Sequence, residues 1–191
     1  MWKDFTMNKQ KSSVLIAIIL VVLAALSRVA LYPHNFSPII GMAVFAGAVI
    51  KDKRFAFALP LFAMLLSDVI FQVSKIAPGF WGMGQVLNYA ILGLITIIAF
   101  NLKKITVLNV ASYSIMSSAI FFVLSNSVCF FVDNPVYHLY AQNFTGYINC
   151  LAAGLPFVKI SMVADLVYSG ILFGAYYLVQ QYAIKGKEAI A

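Results

Sequence analysis

Two aspartates, Asp68 and Asp165, and two cations, Arg28 and Lys159, lie within or near the ends of long apolar runs. Gln72, Gln85, Asn88, Ser125, Asn126, Ser161 and Tyr168 fall at a similar depth. A polar turn, Tyr32-Pro33-His34-Asn35-Phe36-Ser37-Pro38, stands between the first two apolar runs. Polar groups beside a bilayer are costly and need partners, a ligand or an ion. Arg28 and Lys159 suit the carboxylate of a small ligand, and Asp68 and Asp165 suit a donor or cationic end. Phe80, Trp81, Tyr32 and Phe36 suit an apolar body. The residues expected to bind a solute are therefore Arg28, His34, Asn35, Asp68, Gln72, Trp81, Asn88, Asn126, Lys159, Asp165 and Tyr168. The same residues have a plainer reading. Arg28 with Asp68, and Lys159 with Asp165, would tie helices together. Lys159 would snorkel to the interface, His34 would be interfacial, and Asn88 and Asn126 would glue helices.

Other chemistries find little support. His34 and His138 are the only histidines and stand apart, so no metal cluster is expected. The Gly-x-Gly-Asp signature of a membrane aspartyl protease is missing, as are a phosphate loop, a nucleotide fingerprint and a nucleophile elbow. Neither an enzyme nor a cofactor is expected. Cys129 and Cys150, far apart in sequence, form no zinc or disulfide framework. Both fall near outer ends of spans, where packing as small hydrophobes is the default and a disulfide the alternative.

The elements that must position these residues follow from composition. The 191-residue chain is 63% hydrophobic and 10% charged, against roughly half apolar and a quarter charged in a soluble domain, so the lipid bilayer is its expected solvent. The predicted fold is all-α: one polytopic membrane domain over residues 1–191. Six transmembrane helices are expected, at about 13–31, 38–50, 55–73, 85–100, 105–131 and 156–182. Arg28 stands where a signal peptide would need a small-residue cleavage site, so the first span is expected to remain uncleaved. Ten of the thirteen basic residues fall before the first span, after the sixth, or in the loops holding Lys51–Arg54 and Lys103–Lys104. The positive-inside rule makes that side cytoplasmic, N-in and C-in. The net charge of +7 thus reads as topology, and no nucleic-acid partner is expected.

The outer connections differ in kind. Residues 74–84 are rich in Gly and Pro around Phe80 and Trp81. In the link over residues 132–155, Tyr137, Tyr140, Phe144, Tyr147, Ile148 and Leu151 recur at helical spacing, which predicts an amphipathic outer segment before the last helix. It would serve as an interfacial anchor or as a lid over a pocket. Ser37-Pro38 reads as an N-cap and first helical residue, and Pro156 opens the sixth span in the same way. With the fourth span, three helix N-termini would point outward and favour an anion. Ala43 and Gly47, like Gly170 and Gly174, are four apart and would let helices approach, inside the bundle or against a partner protein. Leu59-Pro60 with Asp68 and Leu155-Pro156 with Asp165 form a faint inverted echo.

The run Arg28…Tyr32-Pro33-His34-Asn35-Phe36-Ser37-Pro38…Gly41…Phe45-Ala46-Gly47-Ala48, then Pro60…Ser67-Asp68, resembles an uncharacterised bacterial integral-membrane family grouped with transport proteins. That family in turn is similar to the substrate-binding S components of energy-coupling-factor transporters. The resemblance implies a multi-pass protein of the bacterial cytoplasmic (inner) membrane, taking up a small vitamin-like, anionic or zwitterionic solute through an outward-facing pocket. It also implies a membrane coupling subunit with cytoplasmic ATPases as partner. S components carry alanines four apart on the first span for that docking, and Ala17, Ala24, Ala25 and Ala30 depart from this spacing. The competing expectation is a structural or assembly subunit of a membrane complex, its outer charges paired internally and no cavity left.

Overall fold

The structure, a computed structural model, describes residues 2–30 and 36–184, with side chains over 12–30 and 36–182. Its regular structure among these residues is entirely helical. The helices are α1 (Trp2–Ala30), α2 (Ile39–Val49), α3 (Lys53–Ser74), α4 (Met83–Ala99), α5 (Val107–Val128), the single turn α6 (Asn134–Tyr137) and α7 (Phe144–Val179). Four stretches are long and apolar enough to cross a membrane: Ser12–Ala30, Lys53–Ser74, Val107–Tyr137 and Phe144–Tyr182. α2 and α4 are shorter apolar helices.

The short turns set the two ends of the bundle. Asp52 caps α3 by accepting from the Arg54 and Phe55 amides at 3.0 and 3.1 Å. Lys53 donates to the Gly47 carbonyl at the end of α2 and lies 4.5 Å from the Phe100 ring centroid, joining the α2–α3 and α4–α5 turns. This is the basic end, with Lys51, Arg54, Lys103 and Lys104 on the same two turns. Ser13 of α1 meets Gln180, just past α7, at 2.9 Å. Arg28 meets Asp68 at the opposite, far end.

The core is aliphatic and small. Ala17, Val21 and Ala25 of α1, Ala43 to Ala46 of α2, and Leu92, Ile95 and Ala99 of α4 are all essentially buried. α2 packs against α1, α3, α4, α5 and α7, so its apolar surface is covered on every side.

Two expectations about the elements are corrected. The last helix begins at Phe144, not near Pro156. Asn143 caps it by accepting from the Gly146 amide at 2.9 Å, and Pro156 lies inside the helix. The aromatic spacing from Phe144 to Leu151 is therefore the first part of α7, while Tyr137 and Tyr140 belong to a separate link. There α6 ends at His138 in the left-handed region, and Asn134 closes the turn with two bonds to the Tyr140 backbone. Ser37 does not cap α2: Pro38 occupies the N-cap position and the buried Ser37 Oγ has no hydrogen-bond partner.

The two small-residue pairs also part company. A Cβ on Gly47 would come within 2.5 Å of the Thr96 carbonyl and 2.7 Å of Ala99 Cβ, so this pair packs α2 on α4. A Cβ on Gly170 or Gly174 would meet nothing within 4 Å, so bundle packing does not explain that pair. Gly47→Ala should lower stability by about 1–3 kcal/mol through overpacking. Gly170→Ala and Gly174→Ala should be neutral or raise it by up to about 1 kcal/mol, the helix-propensity gain. Melting of the three variants in one detergent, beside the parent, checks both expectations.

Candidate functional site

Asp68 lies on the last turns of α3 and is 2% exposed. Its Oδ1 accepts from Arg28 Nη1 at 2.5 Å. Its Oδ2 accepts from Gln85 Nε2 at 2.8 Å and from the Tyr89 hydroxyl at 2.6 Å. Arg28 Nη1 also reaches Ser67 Oγ at 2.6 Å, and its guanidinium lies 5.0 Å from the Phe71 ring centroid. Helices α1, α3 and α4 thus converge on one carboxylate.

The same network folds the α3–α4 loop over the site. Gln85 Nε2 donates to the Gly79 carbonyl at 2.8 Å, and its Oε1 accepts from the Trp81 amide at 3.1 Å. Gln72 Oε1 accepts from the Gly79 amide at 3.1 Å. Gly79 has no room for a side chain: a Cβ would come within 2.1 Å of the Asp68 carbonyl. Among the expected site residues, Arg28, Asp68, Gln72 and the Trp81 backbone are therefore brought together by structural bonds. The Trp81 ring is half exposed.

The second aspartate is placed differently. Asp165 is also 2% exposed, but it faces the middle of α5, where Ser118 Oγ donates to its Oδ2 at 2.6 Å. One turn along, Ser114 donates to Ser169 at 2.7 Å. The anticipated Lys159–Asp165 tie does not form, because the two are six residues apart on α7 and point to different faces. Lys159 is exposed. Tyr168 bonds Ser27 of α1 at 3.0 Å and packs against Phe36 at 5.8 Å between ring centroids.

Between α5 and α7, at the far end, a cleft of about 200 Å³ remains, floored by Ser118 and bounded by Ile40, Phe122, Ser125, Asn126, Gly154, Phe157 and Ser161. Asn126 Nδ2 is held by the Phe122 carbonyl at 2.8 Å, and its Oδ1 is turned toward Gly154, whose missing side chain leaves the room. Of the expected binding residues that are described, Asn126 alone lines this cleft. Asn88 joins neither site, and its buried Oδ1 has no hydrogen-bond partner. His34 and Asn35, with Tyr32, lie outside the described residues. The three expected anion-binding helix ends reduce to one. α7 is capped by its own Asn143, and the first turn of α4 has Asp133 packed against Gly84. Neither α2 nor α4 has a side-chain cap, but the carboxylate of Asp133 already stands at the α4 end, which leaves α2. Cys129 and Cys150 are free thiols, with Cys150 buried against the Asn126 carbonyl at 3.6 Å.

Four bonding partners of these side chains were not among the expected binding residues: Tyr89, Ser118, Ser114 and Ser169. Their signal is spacing. Gln85 and Tyr89 are four apart, as are Ser114 and Ser118, and Asp165 and Ser169, so each pair shares a helix face.

The class of protein is thus an all-helical bundle with several helices of membrane-crossing length and apolarity. The chain belongs to a family described as of unknown function, DUF6580, which it matches over residues 8–187. No curated protein and no solved structure matches it.

Removing one member of a buried ion pair leaves the other uncompensated, at a cost of about 3–5 kcal/mol. Arg28→Ala and Asp68→Asn should each destabilise on that scale. The paired apolar replacement Arg28→Met with Asp68→Leu should recover a large part of the loss. Thermal melting of the single and double variants measures this.

Proposed function

We propose that this protein is a membrane transport subunit that binds a small polar solute in the cleft between α5 and α7. The observation that carries the reading is the cleft itself, a polar pocket with Ser125, Asn126 and Ser161 on its walls, set between otherwise apolar helices. Its volume of about 200 Å³ is below the roughly 300–1,000 Å³ of drug-sized sites, which favours a solute smaller than a typical vitamin. Asn126 and the serines offer both donors and acceptors, which suits a neutral or zwitterionic solute.

In this reading the six main helices run between the two faces of the bacterial cytoplasmic membrane, the short α2 doing so inside the protein and not against lipid. The basic end faces the cytoplasm by the positive-inside rule, and the cleft then opens on the outer half. The protein is not an enzyme and needs no cofactor. Energy comes from a gradient or from a coupling subunit with cytoplasmic ATPases, in the manner of the S components it resembles. The alanines of α1 are unsuited to that docking, because Ala17, Ala24 and Ala25 are buried in the core. The open Gly170–Gly174 face of α7 is the better place for such a partner.

The second reading, a structural or assembly subunit without a ligand, is favoured by the closed Arg28–Asp68–Gln85–Tyr89 network, which leaves those residues no free role. Mass spectrometry of small molecules that co-purify with the detergent-solubilised protein separates the two. A polar compound should accompany the parent. It should be lost from Gly154→Ala, whose new methyl group would displace Asn126 and Phe122 into the cleft, with little change in melting temperature. A parent that carries nothing, or a variant that carries as much, would leave the assembly reading in place.

A further inference from the structure

The Ser118–Asp165 and Ser114–Ser169 pairs join two hollows of the bundle. Ser118 floors the far-end cleft, and Ser169 lines an apolar hollow of about 460 Å³ at the basic end, bounded by Thr106, Val110 and Phe173. The two pairs are rungs of one ladder between α5 and α7, about 6 Å apart along the helices. Ser118 Oγ also lies 2.9 Å from the Ser114 backbone carbonyl, an acceptor that passes no proton on. Three hydroxyls and one carboxylate thus stand in file between the two hollows, with the Ser118–Asp165 rung beside the far-end cleft.

No described charge compensates that carboxylate. The groups acting on Asp165 are the apolar packing around it and the Ser118 hydroxyl. α5 presents Ser114 and Ser118 to α7, and α2 presents Gly41, against Tyr168 and Ser169. α1 presents Ser27, bonded to Tyr168, which is the titratable neighbour on α7 itself. Lys159 is exposed and Arg28 is bound to Asp68. An unpaired charge within a membrane-crossing helix is costly, and such residues mark ion paths and proton relays. A metal cation would need more oxygens than the ladder offers. α5 and α7 run unbroken here, so their carbonyls are occupied by helix hydrogen bonds, whereas ion sites in transporters use unwound backbone. The serine hydroxyls are already bonded to one another or to Asp165.

We propose that Asp165 is a proton-binding site between the two hollows. It exchanges its proton with the far-end cleft through Ser118. Water in the cleft gives a proton to Ser118 Oγ as the serine hydroxyl proton passes to the carboxylate, so each O–H bond broken is matched by one made; release runs the same steps in reverse, and no other co-reactant is required. The site is argued from the ladder alone. That its proton drives solute movement rests on the transport reading above.

Infrared spectroscopy of the protein in nanodiscs tests the site without any solute. At neutral pH the parent should show the carbonyl band of a protonated carboxylic acid, shifting when water is replaced by deuterium oxide. Asp165→Asn should lack that band. Ser118→Ala, which keeps Asp165, should retain the band at a displaced frequency because its hydrogen-bond donor is gone. The proposal is overturned by a parent without the band, by a band that deuterium oxide leaves unmoved, or by loss of the band on adding sodium chloride. Each of these results would mark the ladder as a helix tie or a sodium site, whether or not a solute occupies the cleft.

Discussion

The Asp68 carboxylate is almost wholly buried, and two other helices bring it donors. Arg28 arrives from α1, Gln85 and Tyr89 from α4, and Asp68 itself closes α3. A buried charge tolerates few arrangements, because each missing donor leaves an unpaid desolvation cost. Hydrophobic contact between these helices is non-directional and would permit them to rotate or slide. The carboxylate does not. It sets the rotation of α1 and α4 about α3, and through Gln85 it also fixes the loop carrying Gly79 and Trp81. The remaining helices pack on a frame whose geometry is set at this point.

Asp68 and Asp165 are equally buried and chemically identical, yet their surroundings assign them different work. The first is saturated by a guanidinium, an amide and a phenol, so it has nothing left to offer a ligand. The second holds one serine hydroxyl and lies between two hollows. A polar network that is complete makes a core rigid, whereas an ionisable residue left without a charged partner in a membrane-crossing helix is a candidate functional site. The far-end cleft follows the same division. It opens beside the sparsely bonded aspartate, away from the saturated one.

Much of this architecture was legible in the chain. Apolar runs separated by basic or glycine-rich turns located the long helices, and the depth of Arg28 and Asp68 made their pairing one of two readings. The start of α7 was not legible. Pro156 looked like a helix opener, whereas a proline inside a long apolar helix is tolerated when neighbouring groups satisfy the freed carbonyl. Partner choice was also hidden. Which face of α5 meets α7 depends on rotation about the helix axis, and α5 is apolar on most sides, so periodicity does not single out Ser118. The cleft arises from an absent side chain at Gly154 opposite Asn126, a negative feature that only the assembled bundle reveals.

The shortest of the six long helices has a consequence for how the bundle is made. α2 has 11 residues and rises about 16 Å, roughly half the thickness of a hydrocarbon core. It is enclosed by five other helices and keeps almost no surface for lipid. A segment this short is a poor candidate for stable insertion as a separate span during synthesis. It must enter with α3, to which the brief turn at Lys51–Asp52 binds it, and it finds its surroundings only once α7 is made. Assembly is therefore inherently late. The centre of the bundle is completed by the last helix to emerge, and a chain interrupted before that point would leave its most apolar helix uncovered.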